Sequence, residues 1–222
     1  MSRPRSGSAA RAAPADRRQE ILDACTRVLA RRGFAHTRMS DIAAEIGVTA
    51  PLLLHYFPSK NELITEALVA SDEAYLVAFT DALAAGELPQ RLVVGYVEDS
   101  VWPARAGRPW WSEASAVWMN AWITSLHDPS IARVRAAEDR RWRAALAEVV
   151  AKGRAEGTFA AEVDPGVFVA TLFAMLDGFM VQLVLDDPVV TPRLALDESL
   201  RFVGRELGFD PYAFSSRPRA SA

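Results

Sequence analysis

The stretch TRMSDIAAEIGVTAPLLLHYFPSKNEL, from Thr37 to Leu63, leaves this chain few ways to fold. Ile42, Ala43 and Ile46 recur at the spacing of one helical face, and Gly47 then supplies a residue that tolerates positive φ where such a helix must stop. Thr49 is a suitable N-cap, Pro51 falls in a first turn where a missing N–H costs little, and Leu53 with Phe57 gives the next helix a short apolar face. The spacing predicts two short helices joined across about three residues, a geometry in which the second helix can enter a DNA major groove. Pro58 breaks that helix. Ser59 with Glu62 reads as a capping box for the next one, and Lys60 sits near its N-terminus, where a phosphate is stabilised.

Elsewhere the apolar residues also recur at helical spacing, with no alternating run and no Asn-Gly hairpin signal, so the fold class is all-α with about nine helices. A first helix is expected from about Ala15 to Arg32, with Ile21, Leu22, Cys25, Val28 and Leu29 inward and Gly33 as its stop. Arg17 and Arg18 in its first turn oppose the helix dipole, which either a plain surface location or a nearby phosphate accommodates. A long helix runs from Ser59 to about Ala85, another from Pro89 to about Trp102, and PARAGRP (103–109) is the clearest internal loop. Asp128-Pro129, Asp164-Pro165 and Thr191-Pro192 are three repeated start signals. Domain organisation follows: a basic arm over 1–14, expected to be disordered, a helix-turn-helix domain over 15–62, an effector-binding and dimerisation domain over 63–212, and a flexible tail over 213–222.

Charge separates along the same line. Residues 1–63 hold ten Lys+Arg against six Asp+Glu, whereas the remainder holds fifteen against twenty-two, so a chain of net charge −3 keeps its basic excess where phosphates would meet it. Arg3, Arg5 and Arg11 in the arm either follow the DNA backbone or belong to a solvated tail. One cysteine forms no intrachain disulfide, and no Cys/His grouping has metal-ligand spacing, which suits a reducing cytoplasm and implies neither metal nor cofactor. Val167 to Leu176, the longest nearly apolar run, is too short to span a bilayer, so no membrane partner is expected.

The run from Arg17 to Leu63 resembles the N-terminal domain of TetR-type transcriptional regulators. The resemblance rests on ILDA (21–24), Gly33-Phe34, DIA (41–43), Gly47-Val48 and HYFPSKNEL (55–63). One position departs: Leu54 stands where the family usually has a tyrosine, and leucine cannot hydrogen-bond a phosphate. The expected DNA-facing residues are Arg38, Ser40, Thr49, Ala50, Pro51, Leu52, Leu54, His55, Tyr56 and Lys60. Of these, Thr49 and Ala50 are read as base-contacting, with Arg38 and Ser40 as the alternative, while His55, Tyr56 and Lys60 are read as phosphate-contacting.

The second half is rich in aromatic residues. All six tryptophans fall between positions 102 and 142, and Trp111, Trp118 and Trp122 share one helical face. That stripe is either core or the wall of an effector site formed by Trp111, Trp118, Met119 and Trp122 together with Phe173, Asp177 and Met180 from a nearly all-apolar helix. Leu172, Leu176, Phe179 and Leu183, with Leu196, Leu200 and Val203, are expected to form a four-helix seam with a second copy. The resemblance points the same way, because TetR-type proteins dimerise through their last two helices. WSEASAVWMNAW and LDGFMVQLVL are similar to the subgroup containing the choline-responsive repressor of betaine synthesis, which implies a small-molecule effector without identifying it. No GxGxxG, P-loop, nucleophile elbow or HExxH is present, and His36, His55 and His127 lie far apart with no apparent catalytic partners, so no catalytic residue is expected. The expectation is a dimeric DNA-binding regulator, most simply a repressor of a palindromic operator; the alternative is a helical carrier or enzyme using the tryptophan-rich region.

Overall fold

A computed structural model of the protein describes residues 14–101 and 110–217, and of residues 14, 71 and 110–117 the backbone alone. Among the described residues there are nine α-helices and no strand: α1 (Pro14–His36), α2 (Met39–Glu45), α3 (Ala50–Tyr56), α4 (Lys60–Ala84), α5 (Pro89–Val101), α6 (Trp110–Ser125), α7 (Pro129–Ala155), α8 (Pro165–Val184) and α9 (Pro192–Leu207), followed by a 3-10 turn at Pro211–Ala213. The expected start signals act as caps. Asp128, Asp164 and Thr191 accept the N–H groups of Ser130, Val167 and Leu194 at 2.8, 2.8 and 3.2 Å, and Ser59 accepts that of Glu62 at 3.1 Å. Helical geometry in α1 breaks at Gly33, whose φ of 72° and ψ of 167° suit glycine. The proline-rich loop and the N-terminal arm lie outside the described residues.

Two cores share α4. The first gathers Ile21, Cys25 and Leu29 of α1, Ile42 of α2, Leu53 of α3, Phe57 and the first half of α4, through Leu68. Burial pushes the Cys25 thiol up to about 12, so it stays protonated and packs as a small apolar residue. Ala121 of α6 and Ile131 of α7 also enter this core, so the boundary expected at residue 63 is crossed by packing. The second core joins the later part of α4 to α5, α7, α8 and α9.

This second core corrects the expected dimer seam. Leu172, Leu176, Leu183, Leu196, Leu200 and Val203 are at most 5% exposed inside a single protomer, and Phe179 packs at the core's edge. Apolar periodicity reports burial, and α8 and α9 bury these residues against each other and against α5 and α7. The other face of α8 is exposed: Val167, Ala170, Thr171, Ala174, Gly178 and Gln182 follow one another along it, and Leu185 just beyond is 65% exposed. By length and composition α8 is apolar enough to cross a membrane, yet it sits in the bundle and carries Asp177 into its interior.

The chain past residue 213 is also docked. Phe214 packs edge-on against Phe209 at 5.7 Å, and Ser216 places its N–H 2.9 Å and its hydroxyl 2.7 Å from the Glu98 carboxylate on α5. The flexible tail expected from residue 213 is thus docked on α5 through Ser216.

Candidate functional site

The turn between α2 and α3 is built on Gly47 at φ 66°, with the Val48 N–H donating to the Ala43 carbonyl at 2.9 Å. Leu53 and Phe57 are fully buried, which turns the opposite side of α3 outward. Thr49, Pro51, Leu54 and His55 are exposed there, with Ala50, Leu52 and Tyr56 half-buried, and Arg38 and Ser40 are exposed at the start of α2. The Thr49 hydroxyl makes no capping bond, which leaves it available to a ligand. The residues named from sequence on α2 and α3 are thus exposed or half-buried, and Lys60 at the start of α4 carries one qualification. The Lys60 ammonium donates to the carbonyls of Phe34 and Thr37 at 3.3 and 3.2 Å, so two of its three donors close the end of α1 and one remains for a phosphate.

The arginines of α1 are committed within the protein. Arg17 pairs with Glu20, Arg27 and Arg31 both pair with Glu45, and Arg32 pairs with Asp41 at 3.1 Å. Arg18 spans three partners: the Tyr56 carbonyl at 3.0 Å, Glu66 of α4, and the Phe57 ring, whose centroid lies 4.3 Å from its guanidinium. It ties the end of α3 to α4, a role that neither sequence reading of the residue included. Arg38, by contrast, makes no ion pair with a described residue.

In the second half a cavity of about 500 Å³ opens between α4, α5, α6, α7 and α8. Trp118, Trp122, Phe173, Asp177 and Met180 line it as expected. Met119 does not line it, and the Trp111 side chain lies outside the described residues. Sequence reading missed Asp72, Tyr75, Tyr96, Asp99, Asp139, Trp142 and Arg143. A signal for Asp72 existed: it sits one turn from both Leu68 and Leu76, so a carboxylate interrupts a buried stripe.

The walls are aromatic and the charges are acidic. Trp142 meets Tyr75 at 5.2 Å, Tyr96 at 5.4 Å and Phe79 at 5.7 Å, while Tyr96 stacks on Phe173 at 6.0 Å. Burial raises the Asp72 carboxyl to about 6 and Glu138 adds to the rise, while the indoles of Trp118 and Trp142 oppose it as hydrogen-bond donors to the charged form. Burial also raises Asp177 to about 6, with Asp139 adding to it and Arg143 and Arg135 opposing. Carboxylates among aromatic faces recognise an organic cation by charge and by the ring quadrupole together.

Two helices connect this cavity to the first core. Asp72 and Tyr75 project from the same α4 whose first half packs under α3. On α6, Trp118 and Trp122 face the cavity while Ala121 is buried in the first core. A Cβ on Gly33 would lie 2.7 Å from Asn120 Oδ1, the movable end of a side chain, so α1 and α6 run close together here, and it is the positive φ of Gly33 that disfavours a larger residue.

A helix-turn-helix braced against a ligand-sized cavity defines a ligand-responsive DNA-binding regulator. Residues 21–67 match the bacterial regulatory proteins of the tetR family, and residues 101–208 match the BetI-type transcriptional repressor C-terminal domain. The chain belongs to the TetR family and carries a BetI-type C-terminal domain. It is 26% identical over 200 residues to the HTH-type transcriptional regulator BetI of Escherichia coli O139:H28, covering 87% of this chain and 95% of that protein. A further BetI, from Stenotrophomonas maltophilia, is 28% identical over 134 residues, covering 56% of this chain and 62% of its own. Among solved structures, a transcriptional regulator from Saccharomonospora viridis in complex with choline superposes with a TM-score of 0.76 at 23% identity, covering 87% and 98% of the two chains. A TetR-family regulator from Rhodococcus sp. gives 0.74 at 19% identity, covering 87% and 99%.

Proposed function

We propose that the protein is a cytoplasmic, homodimeric repressor that holds a palindromic operator and releases it when a small organic cation of the alkylammonium class enters the cavity. The observation that carries this reading is the joining of Asp72 and Asp177 to a wall of Trp118, Trp122, Trp142, Tyr75 and Tyr96, directly behind the helices that support α3. The choline bound by the structural relative has this chemistry. The exposed DNA face supplies the readout: Thr49 and Ala50 at base edges, with Arg38 and Ser40 beside them, and His55, Tyr56 and the third donor of Lys60 at phosphates. Pro51, Leu52 and Leu54 give that face its apolar contacts, as a thymine methyl would require.

The second copy covers α8. Only six of the twenty residues of this strongly apolar helix are buried in the protomer, and its outward residues from Val167 to Gln182 are nearly all small or apolar. Pairing that face across a two-fold axis sets two α3 helices to read half-sites about one DNA turn, or ~34 Å, apart. Release follows from differential affinity. A cation held by Asp72, Trp118 and Trp142 biases the arrangement of α4, α6 and α7, and a tenfold loss of DNA affinity requires about 1.4 kcal/mol of coupling.

A test begins with selection of bound sequences from random DNA, followed by competition with choline. A symmetric site released by choline supports the reading. The competing carrier or enzyme reading predicts no symmetric site and cation binding that is indifferent to DNA.

A further inference from the structure

The cavity has a second acidic end, distinct from the neighbourhood of Asp72. Asp177 faces it from α8 and makes no hydrogen bond or ion pair with any described residue. Its charged neighbours are all on α7: Asp139, which is itself paired with Arg135, and Arg143. The Arg143 guanidinium lies 5.1 Å from the centroid of the Phe173 ring, one helical turn before Asp177. A cation belonging to the protein thus already rests on an aromatic face at this end. Tyr96 also lines the cavity, stacked on Phe173, and its hydroxyl is held protonated by burial first and then by the charges of both Asp177 and Asp72. Of the carboxylates that line it, Asp139 pairs with Arg135 and Glu138 with Arg141, which leaves Asp72, Asp99 and Asp177 against Arg143, and one ammonium head balances only part of that charge. At about 500 Å³ the space is that of a drug-sized ligand rather than of a single head group.

We infer that the cavity binds a linear dication, with one ammonium head in the aromatic cage at Asp72 and the second at Asp177, over Phe173, in the position that Arg143 now takes. This deepens the effector reading above and rests on it. The alkyl spacer runs along Tyr96 and Phe173, and the Arg143 side chain swings into solvent, where its guanidinium is readily hydrated.

The test compares three probes by tryptophan fluorescence and calorimetry: choline, an α,ω-bis-trimethylammonium alkane, and a zwitterion of equal length ending in a carboxylate. The dication is expected to bind at least about tenfold tighter than choline. Asp177→Asn should bring the two to within about threefold of each other, and Arg143→Gln, which removes the tethered competitor at an exposed position, should tighten the dication further. The inference is overturned if choline binds and the dication binds no tighter, an outcome that leaves the effector reading standing. It is also overturned if the zwitterion binds tightest and Arg143→Gln weakens it, since Arg143 would then be an anion ligand. Failure of both cations to bind overturns the effector reading as well. Should Asp177→Asn not fold, the sign of the Arg143→Gln effect still decides.

Discussion

The DNA-binding domain and the effector cavity handle charge in opposite ways. In the first, the arginines of α1 are matched within the protein, to Glu20, Glu45, Asp41 and Glu66, and the exposed pairs each contribute under about 1 kcal/mol. In the second, Asp72 and Asp177 are half-buried among rings without a full counter-charge, which costs stability while they are ionised. Matched charges fix the shape of the reader, and unmatched ones hold free energy that a cationic ligand can recover on binding. The same contrast appears in the apolar residues, since those of the first core close on themselves while one face of α8 stays uncovered.

The largest expected effect separates core from interface. Leu200→Asp places a carboxylate where the side chain is fully buried, at a cost of several kcal/mol, and should abolish the folded circular dichroism signal at moderate temperature. Ala174→Asp, on the outward face of α8, should leave helicity and melting nearly intact but produce monomers by sedimentation, with operator affinity falling by about a hundredfold as two half-sites cease to be read together. An Ala174→Asp protein that remains dimeric would move the interface elsewhere.

Next in size is the cage. Trp142→Phe keeps a ring but removes an indole donor to Asp72, and Asp72→Asn removes the charge; the first should weaken choline binding severalfold and the second by roughly thirtyfold. Equal small losses would mean that the rings alone bind the ligand.

The pH dependence is smaller and has a definite sign. Both carboxyls titrate in the folded protein near 6, above the usual value of 3.8, so between roughly pH 4 and 6 the folded state holds more protons than the unfolded one. These groups therefore make the protein more stable as pH falls from 7 to 5, while a cation bound to one of them loses about tenfold in affinity over the same interval. Melting and calorimetry at the two pH values check both signs, and cation affinity independent of pH would place the ligand away from the carboxylates.

The smallest effect is at Lys60. Removing its ammonium by Lys60→Ala unties the Phe34 and Thr37 carbonyls, worth about 1 kcal/mol, and should lower the salt slope of DNA binding by about one through loss of the third donor. A drop in stability with an unchanged slope would make the residue purely a clasp.

Local signals carried most of the fold. The caps at Ser59, Asp128, Asp164 and Thr191, and the glycine turn at Gly47, are short-range chemistry that the sequence states outright. The exposed face of α3 followed from them, because burying Leu53 and Phe57 leaves only one orientation. What stayed hidden depends on contacts between distant segments. Leu172 and Leu200 share the periodicity of a dimer seam and of a core, and only packing against α5 and α7 tells them apart. Arg18 reaches residues 38 and 48 positions away, and α6 meets α1 across Gly33 and Asn120, neither of which local spacing encodes. Asp72 was the exception, legible as a carboxylate inside an apolar stripe and overlooked beside the tryptophans.

The joining of cavity to reader can be measured in one titration. With the operator fragment recovered by selection and labelled for anisotropy, choline or the dication is added while tryptophan emission is followed in the same cuvette. Three of the described tryptophans, Trp118, Trp122 and Trp142, line the cavity. The emission change and the loss of anisotropy should fall over the same concentration range, and Asp72→Asn should shift both to higher concentration together. DNA released with no change in emission, or emission that saturates while the operator stays bound, would contradict the account.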